Sequence, residues 1–359
     1  MKNLLKLLSP FAPDQSGAVG VLYELGGLVV ICDAGGCTGN VCGYDEPRWH
    51  EKKSAVFSAG LRDMDAIMGR DDLLIEKLAK ICEQIPAAFT AIVGTPVPAV
   101  IATDYNALRR MAEKKTGLPC ITLETDGTRH YDFGASLAYE RLFRRFAIGE
   151  HPVQKGLLGV LGATPLDLNM TRADALIGAF RRQGWQDVVC FGMDSGLDAI
   201  ERAGACEQIA VIAPSGLKAA EYLKERYGTP YFTAFPVLPE KTVAAAKALR
   251  GRRVLIVHQQ FAAYAMAEQL EGCDCECGTW FMQNKRFEQN TDYEFRTEAA
   301  FREAAQAFDV IIADSMLKRA AGKFAGQWID FPHYAVSGSL KRDGSRPVSA
   351  AHGDKEKLQ

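Results

Sequence analysis

A chain of 359 residues, 48% of them hydrophobic, is long enough for two or three domains with cores of their own. Its net charge of −2 offers no basic field for nucleic acid, and no run of about 20 apolar residues is present to span a membrane. Ten cysteines without a secretion signal point to reduced thiols in a cytoplasmic protein rather than to disulfides.

The opening segment, Met1 to Leu8, is apolar with two lysines. It is too short for a signal sequence, and Pro10 and Pro13 stop the apolar run from extending further. Residues 15–31 read as a helix, with Ala18, Val19, Leu22 and Leu25 at helical spacing, and then a short buried strand from Leu28 to Ile31. The strand runs into Cys32-Asp33-Ala34-Gly35-Gly36-Cys37-Thr38-Gly39-Asn40-Val41-Cys42-Gly43, a glycine-rich loop with three cysteines at equal steps. Glycine lets backbone approach a bulky ligand, thiolate sulfur suits iron–sulfur clusters, zinc or copper(I), and open α/β sheets bind ligands at the carboxyl ends of their strands. Cys32, Cys37 and Cys42 are therefore candidate metal ligands; one such cysteine alone would more often be a small buried hydrophobe.

Ser54 to Phe57 reads as the second strand, with a polar loop from Ser58 to Asp65 and a helix from Asp71 to about Cys82. Ala88 to Gly94 is a strand, Thr95 to Pro98 a rigid turn, and Thr103 and Asp104 open another helix before a strand from Pro119 to Leu123. The pattern resets around Gly149 to Lys155. A second unit then begins, with strands at Gly156–Leu161, Val188–Phe191 and Ile209–Ala213 and helices at Ala173–Gly184 and Leu217–Tyr227. A helix from Glu240 to Leu249 leads into a third unit, with strands at Arg253–His258 and Val310–Ala313 and a helix at Phe261–Leu270. Strands alternating with helices predict parallel sheets, and the three units look like weak repeats of one architecture. The expected division is 1–150, 151–245 and 246–336, with 337–359 a polar, disordered tail.

Several segments, in order, resemble component 1 of nitrogenase-like oxidoreductases, the family of the nitrogenase α and β subunits and dark-operative protochlorophyllide reductase. Ser16-Gly17-Ala18-Val19 through Cys37 is similar to the family's small-residue helix leading to a Gly-x-x-Gly-Cys loop. Phe57-Ser58 with Leu61 to Gly69, Thr95 to Asp104, and Glu221 to Tyr231 resemble three further family segments, and the likeness spans roughly residues 10–335. It implies an α/β fold of three Rossmann-like parallel-sheet domains. It also implies a homodimer, or a heterodimer with a paralogous component 1 subunit, and a 4Fe–4S cluster at the interface of first-domain loops. Electrons would come from a separate ATP-dependent iron protein and pass to a small-molecule substrate. This chain carries no Gly-x-x-x-x-Gly-Lys-Ser/Thr loop and so no ATP site of that type.

The family's three cluster cysteines map onto Pro13, Cys37 and Pro96, so only the middle one is matched directly. Cys32 and Cys42 are expected to compensate, or Cys37 from two chains to share one cluster, with Gly35, Gly36 and Thr95 bordering the cofactor. His333, in Asp330-Phe331-Pro332-His333-Tyr334, and His130, in the loop Thr125 to His130, are the candidate proton-transfer residues, against a plain solvated or hydrogen-bonded role for each. Cys273-Asp274-Cys275-Glu276-Cys277 alternates as a strand would. Ser195 lacks the Gly-x-Ser-x-Gly frame of a serine hydrolase. A cluster-assembly scaffold and a cluster-free partner subunit stand as the alternative functions, with a zinc site at the loop a weaker one.

Overall fold

Short β-branched runs with no polar interruption are stable only when both faces are covered, which is the condition inside a parallel sheet flanked by helices. The computed structural model describes residues 5–289 and 292–340 and contains three such sheets. The first joins β1 (Leu28–Ile31), β2 (Ala55–Ser58), β3 (Thr90–Val93) and β4 (Cys120–Leu123) in the order β2-β1-β3-β4. The second joins β5 (Gln154–Leu161), β6 (Asp187–Cys190), β7 (Cys206–Val211) and β8 (Tyr231–Thr233) as β6-β5-β7-β8. The third runs β11-β10-β9-β12-β13, from β9 (Arg253–Val257), β10 (Asp274–Thr279), β11 (Tyr293–Glu294), β12 (Val310–Ala313) and β13 (Gln327–Asp330). Every pairing is parallel. Each sheet therefore reverses its winding between its first strand and the neighbour on the other side, β1/β3, β5/β7 and β9/β12, the points at which open α/β sheets bind ligands.

The expected fold class is present, and the repeat is one of topology. The strands β8, β11 and β13 were not expected; they are two to four residues long and lie at sheet edges, where hydrophobic patterning is weak. The cysteine segment is not an open loop. Asp33 is buried, and its carboxylate accepts the Thr38 N–H (2.7 Å) and the Ser58 hydroxyl (2.6 Å), which organises a helix at Gly36–Asn40 that continues as a π-turn over Val41–Asp45. Thr95 to Pro98 is likewise the start of a helix, Pro96–Val100, with proline in the first turn, where its missing N–H costs nothing. The part of the expected tail beyond residue 340 lies outside the described residues. Among the described residues no helix is long and apolar enough to cross a membrane.

One contact closes the first unit on itself and another ties it to the second. The helices Asp14–Leu22 and Tyr131–Phe146 cross where a Cβ on Gly17 would overlap the Tyr131 carbonyl and one on Gly134 the Asp14 carbonyl, so backbone meets backbone. The Arg48 side chain is wholly buried. Its guanidinium grips Glu46 with two hydrogen bonds of 2.7 Å, donates to Glu24 (2.7 Å) and to the carbonyls of Gly20 and Gly192, and so ties the cysteine segment to the second unit. Its charge is held firmly, because both carboxylates offset the cost of burial.

Gly134→Ala must separate two backbones. It is expected to destabilise the chain by about 3 kcal/mol or more in urea unfolding, whereas Gly36→Ala, where an added Cβ meets nothing within 4 Å, should leave the midpoint nearly unchanged. Arg48→Met leaves the buried Glu46 carboxylate without its counter-charge, while Glu24 keeps Lys52, and should cost roughly 3–5 kcal/mol by the same measurement.

Candidate functional site

The β1/β3 switch point carries Cys37. Thr95, fully buried after β3, donates its hydroxyl to the Cys32 carbonyl (2.6 Å) and lies beside the Cys37 thiol. Burial and then the Asp33 carboxylate raise the Cys37 thiol above its ordinary value, and the Thr95 contact pulls it back. Gly35 takes φ +114°, which only glycine tolerates readily, and turns the chain into the short helix. The other two cysteines sit differently. Cys32 is 2% exposed in a packed cluster with Leu28, Val30 and Leu74, and burial, then Asp33, pushes its thiol up to about 12. Cys42 is half-buried on the π-turn, pushed up to about 11 by burial, then by Glu46 and Asp33. Among the described residues no three His, Cys, Asp or Glu side chains are grouped to hold a metal ion, so the three thiols do not form a closed ligand set within one chain.

A cavity of about 590 Å³ opens beside this segment. Pro13 and Pro96 both line it, together with Gln15, Tyr44, Asp45 and Gly127, and no cysteine does. Asp14, fully buried, holds its far wall by accepting the N–H groups of Asp126 (3.0 Å) and Gly127 (2.8 Å). His130 borders the same cavity, with its ring 5.6 Å from that of Phe11 and 5.5 Å from that of Phe281. Burial lowers its proton affinity, and the neighbouring Asp132 carboxylate opposes this.

His333 lies elsewhere. It is 1% exposed, stacks on His258 with ring centroids 4.0 Å apart and planes 14° from parallel, and its Nε2 is 3.1 Å from the Tyr131 hydroxyl. Tyr131 donates in turn to Asp167 (2.6 Å), whose other oxygen accepts from Thr164 (2.9 Å). Burial holds both imidazoles neutral: His258 falls to about 4, and His333 lies well below its usual value, His258 adding to the effect. His258 Nδ1 accepts the Gln259 N–H (2.9 Å), so its Nε2 carries the hydrogen and donates to the Pro332 carbonyl (3.2 Å). Burial raises the Asp167 carboxyl to about 7, against the hydrogen bonds from Tyr131 and Thr164. Asp167–Tyr131–His333 is thus a continuous buried hydrogen-bonded line that can hold or move one proton near neutrality. Sequence reasoning named His333 and missed Tyr131, Asp167 and His258. Their signal was positional: Thr164 and Asp167 come after β5 and His258 after β9, as Cys32 and Asp33 come after β1, so aligning the three repeats on their first strands brings them out.

The chain matches the family model for nitrogenase component 1 type oxidoreductase over residues 15–250, more than half its length. It belongs to that family. Among solved structures, nitrogenase Cp1 at pH 6.5 aligns with a TM-score of 0.71 at 10% identity, over 92% of this chain and 87% of that one. Nitrogenase Cp1 at pH 5 gives 0.62 at 14% identity, over 83% and 70%. These likenesses carry the fold. No curated protein matches the chain.

Asp167 gives a pH signature. Below about 3.8 the carboxyl is protonated in both folded and unfolded chains; between there and about 7 only the folded chain keeps the proton. Its contribution is therefore full at acid pH and is lost as the pH rises to about 7. In unfolding measured at pH 4 and pH 7.5, Asp167→Asn should gain on the wild type with rising pH by up to about 4 kcal/mol.

Proposed function

We propose that the chain is a catalytic-type subunit of a component 1-type reductase. It works as a homodimer or with a paralogous subunit, takes electrons from a separate ATP-dependent iron protein and delivers them, with protons, to a small molecule. The observation that carries this is the setting of Cys37. A half-buried thiol beside Thr95 sits at a switch point, and the helices that follow β2 and β3 leave large apolar side chains uncovered: Met64 is 62% exposed, Ile67 75%, Met68 65% and Val100 85%. Three such side chains on one short helix fit a surface that another protein covers.

The donor set fits an iron–sulfur cluster only when it is shared. Cys32 is packed away in the core, while Cys37 and Cys42 are one chain's share, and a pair of chains brings four thiolates. A cluster held there would supply one-electron chemistry. The chain's own residues do the rest: Asp33 and Thr95 fix the Cys37 helix, the apolar face excludes water, and Asp167, Tyr131 and His333 hold the proton that accompanies reduction. The cluster-free partner subunit is the second reading, and its support is Pro13 and Pro96 lining the 590 Å³ cavity where the family's cysteines would lie.

Protein purified without oxygen should contain iron and acid-labile sulfide at about four irons per pair of chains. Dithionite should produce a cluster resonance in its electron paramagnetic spectrum. Cys37→Ser should abolish both while light scattering still reports a pair. Iron unchanged in Cys37→Ser, or no iron after reconstitution, would overturn the redox assignment; in the second case, copurification with a cysteine-complete paralogue would establish the cluster-free one. Iron that transfers to an apo-acceptor without turnover would mark a scaffold.

A further inference from the structure

We propose that the cavity lined by Pro13 and Pro96 binds a neutral heteroaromatic molecule by an edge that carries a hydrogen-bond donor next to an acceptor. The residue that points to this is Gln15. Its side chain lines the cavity, is 4% exposed, and leaves Oε1 buried with no hydrogen-bond partner among the described residues. Its Nε2 is unbonded among them as well, and it is the end of the amide that is not sealed off. Buried amides are otherwise paired, and an unpaired one in a cavity wall is a recognition group awaiting its complement. Gly127 shows where the amide lies. A Cβ on that glycine, at φ +73°, would overlap the Pro96 ring and come within 3.5 Å of Gln15 Oε1. Gln15 therefore sits against Pro96, and the glycine keeps that corner open. The neighbouring Asp14 carboxylate cannot serve the amide, because it is taken by the N–H groups of Asp126 and Gly127.

The rest of the lining selects a flat, uncharged body. Only two of its side chains carry a full charge, and they are opposite and engaged. Asp45 accepts from Ser16 and from Asn40, both at 2.6 Å, and the Arg129 guanidinium lies over the Phe133 ring at 3.9 Å. The polar groups left with hydrogen-bonding capacity are neutral: the Gln15 amide and the His130 imidazole, neither of whose nitrogens is bonded among the described residues. The walls that solvent reaches are rings. Tyr44 is 70% exposed, and Pro10 and Pro96 are exposed on the same lining. Rings of this kind offer flat apolar contact at little cost in ordering, and about 590 Å³ lies within the size range of small-molecule sites. A primary amide with both ends free pairs with an adjacent donor and acceptor, as glutamine does on the edge of adenine. The assignment goes beyond the redox reading and does not depend on it, since no cysteine lines the cavity.

The test uses the full chain and two fluorescent probes, lumichrome and 1,3-dimethyl-lumichrome, at slightly acid pH, where both are uncharged. The second keeps the flat ring and its carbonyls and lacks the N–H donors. Fluorescence and calorimetry should show one lumichrome per chain and dimethyl-lumichrome binding about tenfold more weakly. Gln15→Leu should bind lumichrome about tenfold more weakly and no longer distinguish the two probes. Tyr44→Ala, at an exposed position, should weaken both about threefold. Iron measured on the same samples should be equal in wild type and Gln15→Leu, so that this assignment and the cluster stand or fall separately. No saturable lumichrome binding, equal affinity of the wild type for the two probes, or a preference that survives in Gln15→Leu overturns the proposal. Should Gln15→Leu not fold, Tyr44→Ala binding as tightly as wild type overturns it.

Discussion

The assembly of this chain depends on a buried cation. Arg48 has no contact with water, and an isolated guanidinium in that position would be prohibitively unstable. It persists because Glu46 and Glu24 supply the opposite charge and because two backbone carbonyls, Gly20 and Gly192, take the remaining donors. Those four partners come from the cysteine segment, from the first helix and the turn after it, and from the loop after β6. Lys52 extends the same knot, bonding Glu24 at 2.7 Å and Asp194 at 2.6 Å. The ion cluster adds little net stability over a well-packed apolar alternative. What it contributes is direction. Hydrophobic contact between the first and second units tolerates small slides, whereas a guanidinium with five committed donors does not.

Three copies of one winding then explain where chemistry collects. In each sheet the chain leaves the first strand, crosses to one side, and returns to the other. The loop after the first strand meets the loop after the strand on its far side. In the first unit these loops bring Cys37 to Thr95. In the second and third they bring Asp167 and His258 towards the line running through Tyr131 and His333. Tyr131, which follows β4 of the first sheet, joins all three units at that interior line.

Much of this was legible in the sequence. The apolar runs at 28–31, 90–93 and 254–257 have no other stable use, and the order of segments placed the chain in its family from residue identities alone. Edge strands such as β11 and β13 were not legible, because two to four residues of mixed polarity carry no period. The cysteine segment misled for a physical reason. Glycine and cysteine are poor helix formers, so the stretch reads as loop, yet Asp33 accepts the Thr38 N–H and Thr95 braces the turn from another strand altogether. Tertiary partners of this kind are invisible to local patterning. The same holds for His333, whose neutrality arises from burial against His258 and not from anything in its own neighbourhood in the chain.

That neutrality also separates the two histidines the sequence brought forward. His130 borders an open cavity, and Asp132 nearby favours its protonated form, so it can answer to solvent. His333 cannot. A protonated ring stacked 4.0 Å from a second imidazole, with no carboxylate in contact, would be opposed both by burial and by any charge on His258. Its Nε2 can therefore only accept from Tyr131 or donate to it, and the direction of that bond is set at the far end by whether Asp167 holds its proton. When Asp167 is ionised, Tyr131 donates to it and His333 must donate to Tyr131. When Asp167 is protonated, it can donate to Tyr131, and Tyr131 then donates to a His333 that carries its hydrogen on Nδ1. One carboxyl poised near neutrality thus sets the tautomer of a histidine two hydrogen bonds away, without a net charge ever entering the stack.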